Sequence, residues 1–367
     1  MTRPRLELVA LKKEYADGSV VAVDGIDLYV AAGETLALLG PSGCGKSTTL
    51  NMIVGLEDPS SGDIQINGQS VLGLPPGRRD VGLVFQDYAV FTAMTVRQNL
   101  AFGLAVRKVP RPEIDRAVAE VAELLGMRDR LNARVKELGG SELQRVAIGR
   151  TLVTRPSILL LDEPLSNLEA AARLAMRREL RRLQSDIGIT IIYVTHDQIE
   201  ALSLADRIAV MRAGKILQVE ETASIYDRPE HVFVASFLGS PPMNLITGAL
   251  EADAAAMRFR RAEFSLPVFQ TGVPEGRCTL GIRPESLRVA AAQTANWTGR
   301  VGLVEPRGPE AVLTVEVGTM ALKIVVASTD CPGEGETIGI DVDPDALVLF
   351  DGETNRRMDG GSKAEVQ

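Results

Sequence analysis

The sequence predicts an α/β fold in its first part and an all-β fold after it. Apolar runs of strand length alternate with helical patterns as far as about Ser240, which is typical of a mostly parallel sheet covered by helices. A glycine-rich segment, residues 40–48, lies between one apolar run and a helix. After Pro241-Pro242 the runs become short and alternating, with glycine and proline between them, and this favours a small barrel or sandwich.

The elements of the α/β part follow from apolar periodicity and from the residues that break it. Strands are expected at residues 20–30, 34–39, 81–85, 158–161, 190–195 and 207–211, and helices at 46–55, 112–126, 143–154 and 168–187. The run 158–161 is wholly apolar, as expected of a strand buried in a parallel sheet. Ala213-Gly214 predicts a hairpin turn.

The chain of 367 residues is longer than one ordinary domain. We expect an α/β domain over residues 1–240 and a β-domain over residues 241–351. Strands of the β-domain are predicted at 280–283, 311–317, 321–326, 337–341 and 347–350. The polar residues 352–367 are predicted to be a disordered tail.

Composition excludes several classes of protein. The net charge of −8 and a pI near 5.1 argue against a general nucleic-acid binder, which would carry a basic surface. Cys44, Cys278 and Cys331 are far apart and indicate neither a disulfide framework nor a metal site, so a reducing compartment fits best. The N-terminus has no signal-peptide pattern, and no apolar run is long enough to span a bilayer. Work at a membrane would therefore need other subunits.

The glycine-rich segment matches the pattern G-x-x-x-x-G-K-S/T in its strand–loop–helix setting. We call it the phosphate loop; it consists of Gly40, Pro41, Ser42, Gly43, Cys44, Gly45, Lys46, Ser47 and Thr48. Glycines let backbone N–H groups surround phosphate oxygens, and the helix N-terminus favours an anion. Lys46 is expected to reach the β- and γ-phosphates, and Ser47 to bind Mg²⁺.

Polar side chains follow three of the predicted strands. Asp162 and Glu163 end the run from residue 158; Asp162 is expected to hold Mg²⁺ and Glu163 to orient or deprotonate the attacking water. His196 ends another strand and is expected to contact the γ-phosphate. Gln86 ends the run from residue 81, where its carboxamide can reach Mg²⁺ or water.

These motifs, in this order, resemble those of ABC-transporter ATPases over residues from about 5 to 350. The phosphate loop resembles the Walker A motif and residues 158–163 the Walker B motif with its catalytic glutamate, Glu163. Gln86 resembles the Q-loop glutamine, His196 the switch histidine, and residues 166–169 the D-loop, with Glu169 for the usual aspartate. The resemblance implies that Tyr15 stacks on adenine and that residues from about 87 to 154 form a helical subdomain.

The C-terminal part resembles one subclass of this family. Residues 239–245 and 281–285 are similar to the junction and the OB-like (TOBE-type) accessory domain of ATPases from importers of sugars, polyols and glycerol phosphate. The resemblance implies ATP and Mg²⁺ as cofactors, with Ser47, Gln86 and Asp162 near the metal. It also implies a homodimer on two membrane permease subunits, served by a solute-binding protein, at the cytoplasmic face of the inner membrane. No nucleic-acid partner is expected.

One motif departs from the family. Residues 144–147, Gln-Arg-Val-Ala, place the Leu-Ser-Gly-Gly-Gln signature on Leu138, Gly139, Gly140, Ser141 and Glu142. The usual serine, which donates to the γ-phosphate held by the opposite subunit, is Gly139 here. Either the composite ATP site is weakened, or the loop shifts and Ser141 supplies an equivalent hydroxyl; the sequence leaves both open.

The sequence leaves three alternatives to sugar import. An importer ATPase of the same architecture could serve polyamine, sulfate or iron, because the solute is recognised by other subunits. A soluble non-transport ABC ATPase would show a coiled coil, tandem ATPase domains or a basic face, which the sequence lacks. A regulator-binding role of the β-domain is the third.

Overall fold

The computed structural model describes residues 5–15, 18–253, 256–262, 264–268, 273–292, 295 and 297–358. The chain divides into two compact units, Met1–Ile225 and Tyr226–Gln367. Within the described residues, no helix combines the length and the apolar character needed to cross a membrane.

The first unit contains ten strands and seven helices among its described residues, the last helix reaching the division between the units. The strands are β1 (Leu6–Tyr15), β2 (Val20–Val30), β3 (Thr35–Leu39), β4 (Ser61–Ile66), β5 (Gln69–Ser70), β6 (Val81–Val84), β7 (Ile158–Asp162), β8 (Thr190–Thr195), β9 (Arg207–Arg212) and β10 (Lys215–Glu221). The helices are α1 (Lys46–Val54), α2 (Val96–Val106), α3 (Arg111–Leu124), α4 (Gly140–Leu152), α5 (Ala170–Ile187), α6 (Gln198–Leu204) and α7 (Thr222–Asp227).

A six-stranded sheet forms the centre of this unit. Its order is β10-β9-β3-β8-β7-β6, with all pairs parallel except the β9–β10 hairpin. Every residue of β3 and β8 is buried, because helices and a second sheet cover the two faces. The second sheet is antiparallel, in the order β2-β1-β4-β5. The predicted α/β class is confirmed, and each strand predicted for this unit agrees with the structure to within one residue at either end.

The sequence patterns did not predict several elements of the first unit, among them β1, β4, β5, α2 and α6. In β1 the left-handed Ala10, with a φ of 44°, interrupts the pairing with β2, and this irregularity breaks the alternation by which a strand is recognised. Helix α2 begins at a capping box in which the Thr95 hydroxyl accepts from the Gln98 N–H and the Gln98 carboxamide accepts from the Thr95 N–H. The spacing Thr-x-x-Gln is a signal that predicts such a start.

The second unit is built from antiparallel strands, as predicted. They are β11 (Asn244–Asp253), β12 (Ala256–Arg261), β13 (Phe264–Val268), β14 (Gly276–Ile282), β15 (Leu287–Ala290), β16 (Trp297–Arg307), β17 (Glu310–Val317), β18 (Met320–Ala327), β19 (Thr337–Val342) and β20 (Val348–Asp351), and the helix α8 (Val232–Phe237) precedes them. Two five-stranded sheets result, ordered β13-β12-β11-β14-β20 and β15-β19-β16-β17-β18. Their apolar faces share one core, which includes Phe259, Leu313 and Ile340.

The predicted tail, residues 352–367, is described only in part. Asp351 accepts hydrogen bonds from the N–H groups of Glu353 and Thr354, and Arg356 and Arg357 form β-bridges to His231 and Phe350. The ordered chain therefore continues past residue 352. Residues 359–367 lie outside the described residues.

Candidate active site

Four predicted features meet at one edge of the central sheet. The phosphate loop follows β3, and Gln86 lies just after β6. Asp162 ends β7 with Glu163 directly after it, and His196 follows β8. These strands are parallel neighbours, so their carboxyl ends lie side by side. Residues far apart in the sequence are thus brought together by strand order.

Backbone packing fixes the shape of the phosphate loop. Gly45 has a φ of 107°, and a Cβ atom there would lie 2.3 Å from the Ala22 carbonyl oxygen. Only glycine tolerates both conditions. The loop leads into α1, whose first N–H groups have no partner within the helix. A cavity of about 300 Å³ is lined by Ala22, Ser42, Gly43, Gly45, Lys46, Ser47, Thr48 and Glu163.

Lys46 is buried at the floor of this loop. Its Nζ atom donates to the carbonyl oxygens of Gly40 at 2.8 Å and Pro41 at 3.0 Å, and lies 3.9 Å from the Cys44 sulfur. Burial raises the pKa of the Cys44 thiol, so this cysteine remains a protonated, compact filler of the loop near neutral pH. The ammonium group is therefore held in place by neutral carbonyls.

Asp162 and Ser47 form a pair of oxygen donors beside the cavity. The Ser47 hydroxyl donates to Asp162 Oδ1 across 3.3 Å. Burial, together with the nearby charge of Glu163, raises the pKa of Asp162. A cation here would offset the cost of burying the ionised Asp162 carboxylate near Glu163. A carboxylate with a hydroxyl is a donor set suited to Mg²⁺. The residues present therefore fit this metal.

Glu163 adopts an unusual backbone conformation. Its φ is 44°, in the left-handed region, and its N–H donates to the Val194 carbonyl across 3.0 Å. Such strain persists where surrounding contacts impose it and is common at active sites. The carboxylate oxygen Oε2 lies 3.0 Å from His196 Nδ1. The predicted catalytic pair is thus in direct contact.

Gln86 is turned toward the loop of residues 166–169. Its side-chain Nε2 atom donates to the Ser166 hydroxyl at 3.3 Å, and its backbone carbonyl accepts from Asn167 Nδ2 at 2.8 Å. The bonds described for Gln86 therefore lead to this loop and not to Ser47 or Asp162.

Tyr15 lies at the end of β1 with its ring partly exposed. Its hydroxyl donates to the Glu57 carboxylate. Burial and this bond raise its pKa, while the neighbouring Thr48 side chain acts in the opposite direction. The residue predicted to stack on adenine is thus adjacent to the end of the phosphate loop.

The signature segment is placed apart from the phosphate loop. Gly139 has an extended backbone and caps α4, where Glu142 Oε2 accepts from the Gly139 N–H at 3.1 Å. Glu142 Oε1 also lies 3.0 Å from Arg130. Ser141 is in the first turn of α4. Among the described residues that line the phosphate-loop cavity, none comes from 139–142.

Two charged residues of the site region were missed by sequence reasoning. Glu200 is almost fully buried and accepts from the hydroxyls of Tyr193 at 2.9 Å and Thr195 at 2.8 Å. Arg173 lies between the 166–169 loop and α6. The spacing Asp197-x-x-Glu200 after a strand signals a helix start, but an ion pair between two helices has no signature in the linear sequence.

Comparisons with known proteins identify the family of each part of the chain. Family models match an ABC transporter domain over residues 23–166, a MalK OB fold domain over 239–287 and a TOBE domain over 280–350. The chain is 44% identical to an sn-glycerol-3-phosphate import ATP-binding protein of Rhizobium johnstonii, across 96% of this chain and 99% of that one.

Other relatives carry different names. A trehalose/maltose import ATP-binding protein of Thermococcus litoralis is 42% identical over 93% of this chain and 96% of its own length. A sulfoquinovosyl glycerol transport ATP-binding protein of Agrobacterium fabrum is 41% identical over 96% and 99%. Among solved structures, cbiO1 of Clostridium perfringens, part of the ABC transporter complex cbiONQ, superposes with a TM-score of 0.56 at 30% identity, covering 61% of this chain and 90% of that one.

Proposed function

This chain belongs to the import ATP-binding proteins of ABC transporters, which are ATPases, and we propose that it hydrolyses ATP to drive uptake of a sugar, a polyol or a glycerol phosphate. The observation that carries the proposal is the meeting of the phosphate loop, Asp162, Glu163 and His196 at one sheet edge. The solute class is supported by near-full-length relatives named for glycerol phosphate, trehalose/maltose and sulfoquinovosyl glycerol.

The phosphate loop binds the triphosphate in this proposal. The first N–H groups of α1 donate to phosphate oxygens, and Lys46 exchanges its two carbonyl partners for the β- and γ-phosphates. Ser47 and Asp162 would hold Mg²⁺, with Gln86 as a further ligand. The bound ion would supply positive charge that offsets the charge of the phosphate oxygens. Tyr15 stacks on the adenine ring.

Glu163 and His196 act on the attacking water. Glu163 orients the water and accepts its proton, and His196, 3.0 Å from the carboxylate, holds Glu163 and contacts the γ-phosphate. The left-handed backbone at Glu163 fixes where the carboxylate enters the site, so little reorganisation precedes the chemical step.

A second copy of the chain completes the site. Gly139, Gly140, Ser141 and Glu142 of each copy contact the nucleotide held by the phosphate loop of the other. Two such chains dock on two membrane permease subunits at the cytoplasmic face of the membrane, and a solute-binding protein delivers the solute on the far side. Residues 87–154 form the helical subdomain facing the permease, and residues 241–351 the accessory β-domain.

The substitution Glu163→Gln tests the hydrolytic role. It keeps the shape of the side chain but removes the base, so we expect ATPase turnover to fall about 100-fold or more while ATP affinity stays close to that of the unchanged protein. Steady-state ATPase assays and equilibrium nucleotide binding measure the two quantities. The exposed residue Glu123 offers a control, because Glu123→Gln removes a carboxylate outside the site. Turnover near normal in Glu163→Gln would reject Glu163 as the essential group.

The solute is best identified through the partners. We expect the tagged chain, purified from membranes, to bring with it permease subunits, and the solute-binding protein of the same system to name the solute. Recovery of the tagged chain without any membrane protein would contradict the transport role and leave an ATPase of another kind.

A further inference from the structure

Arg173, in the first turn of α5, contacts two separate loops of the site. Its Nη2 atom donates to the Leu168 carbonyl across 3.1 Å. On the other side, Nη1 lies 3.6 Å from Asp197 Oδ2, and Nε lies 3.8 Å from Glu200 Oε1. About a third of the Arg173 side chain is exposed. One guanidinium group therefore joins the 166–169 loop to the turn that carries His196.

The two carboxylates that face Arg173 fix this turn. Asp197 caps α6 by accepting from the N–H groups of Ile199 and Glu200. Glu200 accepts from the Thr195 hydroxyl, and the same hydroxyl accepts from the Asp197 N–H at 2.9 Å. The residues on either side of His196 are thus held by carboxylates whose nearest cation is the Arg173 guanidinium among the described ion pairs.

The contacts close into a ring. His196 Nδ1 lies 3.0 Å from the Glu163 carboxylate, and the Glu163 carbonyl accepts from the Ser166 hydroxyl at 2.9 Å. From Ser166 the chain runs two residues to Leu168, which is bonded to Arg173. The 166–169 loop is therefore connected to the His196 turn by two routes of contact, one through Glu163 and one through Arg173.

We propose that Arg173 is a positioning residue that couples the 166–169 loop to His196, so that movement of this loop sets the distance between His196 and Glu163. The proposal rests on the proposed ATPase function. In that function, Arg173 would determine the stage of the ATPase cycle at which Glu163 and His196 are aligned. Arginine suits the position because its planar fork presents donors in several directions, whereas lysine offers a single point charge.

The test uses the fact that the chain has two histidines, His196 and His231. In protein labelled with ¹⁵N-histidine, NMR therefore shows two imidazole groups. We expect Arg173→Met to displace the His196 signals and to leave those of His231, which caps α8 in the second unit, unchanged. Arg173→Lys, which preserves the charge, should displace His196 less. His196 signals that stay in place in both variants would overturn the proposal.

Arg181→Met is the matched control. Arg181 lies two turns further along α5 and donates to the carbonyls of Ser203 and Leu204 at the end of α6. It thus joins the same two helices without reaching the 166–169 loop. We expect it to leave the His196 signals in place. An equal displacement of His196 in Arg181→Met would show that general packing of α6 is being measured, and would overturn the role of Arg173.

Kinetics provide a second readout. We expect Arg173→Met to lower kcat by about tenfold or more with KM for ATP changed less than about twofold, since the phosphate loop is untouched. Arg173→Met combined with Asp197→Asn should be no slower than Arg173→Met alone, because both act through one contact. Fully multiplicative losses would contradict the coupling. If the unchanged protein hydrolyses no ATP, the proposed function fails, while the histidine signals still decide the role of Arg173.

Discussion

The phosphate loop and the signature segment, Leu138–Glu142, are both glycine-containing loops that lead into a helix, but the fold constrains them very differently. At Gly45 a Cβ atom would lie 2.3 Å from a backbone oxygen, and φ is strongly positive. At Gly139 φ is −77°, and the nearest atom to a Cβ is Glu142 Oε2 at 4.0 Å. The packing and backbone conformation within one chain require a glycine at position 45, but they do not require one at position 139.

This difference explains where the sequence departs from its family. The phosphate loop is packed against β2 and β9 through Ala22 and Met211, so a substitution there disturbs the fold before any nucleotide is bound. Gly139 has open space around it, and a Cβ atom at Gly140 would lie 3.2 Å from a side-chain atom of Leu168, which can move more easily than backbone. In the proposed dimer, the segment would meet its closest neighbours only on a second copy of the chain. Departures from the family motif are therefore tolerated at the signature segment without loss of the fold.

The sharpest test of the comparison is a pair of alanine substitutions. Gly45→Ala introduces a clash and a disfavoured φ, and we expect it to destabilise the loop by about 3 kcal/mol or more and to weaken ATP binding accordingly. Gly139→Ala replaces one helix cap by a poorer one, with a loss of no more than about 1 kcal/mol. Thermal unfolding and nucleotide binding measure both. Equal losses in the two variants would show that the steric argument is wrong.

A second test separates function from stability at the phosphate loop. We expect Asp162→Asn to lower ATPase turnover about 100-fold or more and to raise the melting temperature. The sign follows from the raised pKa of Asp162: the ionised carboxylate is less favourable in the folded than in the unfolded state. The gain in stability should be present at neutral pH and vanish as the pH falls through the folded and then the unfolded pKa. A lower melting temperature at neutral pH would contradict it.

The signature segment is tested by restoring the family pattern. Gly139→Ser with Ser141→Gly places a hydroxyl where the family has one, and the space at Gly139 accepts it. We expect ATPase turnover to rise about two- to tenfold, as is typical when a donor to a developing phosphate charge is added. Ser141→Gly alone is the control and should not raise the rate. An unchanged or lower rate in the double variant would favour Ser141 as the source of an equivalent hydroxyl.

The smallest effect is expected at the cap of α4. Glu142→Ala removes the acceptor for the Gly139 N–H and the exposed pair with Arg130, and should reduce stability by about 0.5–1 kcal/mol. Arg130→Ala removes the ion pair but keeps the cap, so its effect should be smaller still. Chemical denaturation followed by circular dichroism measures the difference. A larger loss in Arg130→Ala would contradict the assignment of the cap to Glu142.

Sequence reasoning succeeded where one-dimensional signals are strong. Wholly apolar runs such as Ile158–Leu161 predicted buried parallel strands, and parallel strands bring their carboxyl ends together, so the meeting of Asp162, Glu163 and His196 was predictable. It failed where geometry is local or between elements. The bulge at Ala10 hid β1, and no pattern in the sequence signals the contact between Gln86 and Ser166. The contacts of Arg173 could not be predicted from the sequence, because its partners lie on other elements.

The contacts of Lys46 have a consequence for which anions the loop can select. Its ammonium group already has two carbonyl acceptors, at 2.8 and 3.0 Å, so an incoming anion gains only the difference between its own bonds and those it displaces. Weakly coordinating anions form bonds to the Lys46 ammonium group that are too weak to displace its two carbonyl acceptors. A polyphosphate wins because its charged oxygens engage the ammonium group and the N–H groups of the loop at the same time. Competition from the carbonyl groups of Gly40 and Pro41 thus makes the loop selective for nucleotides over simple inorganic anions.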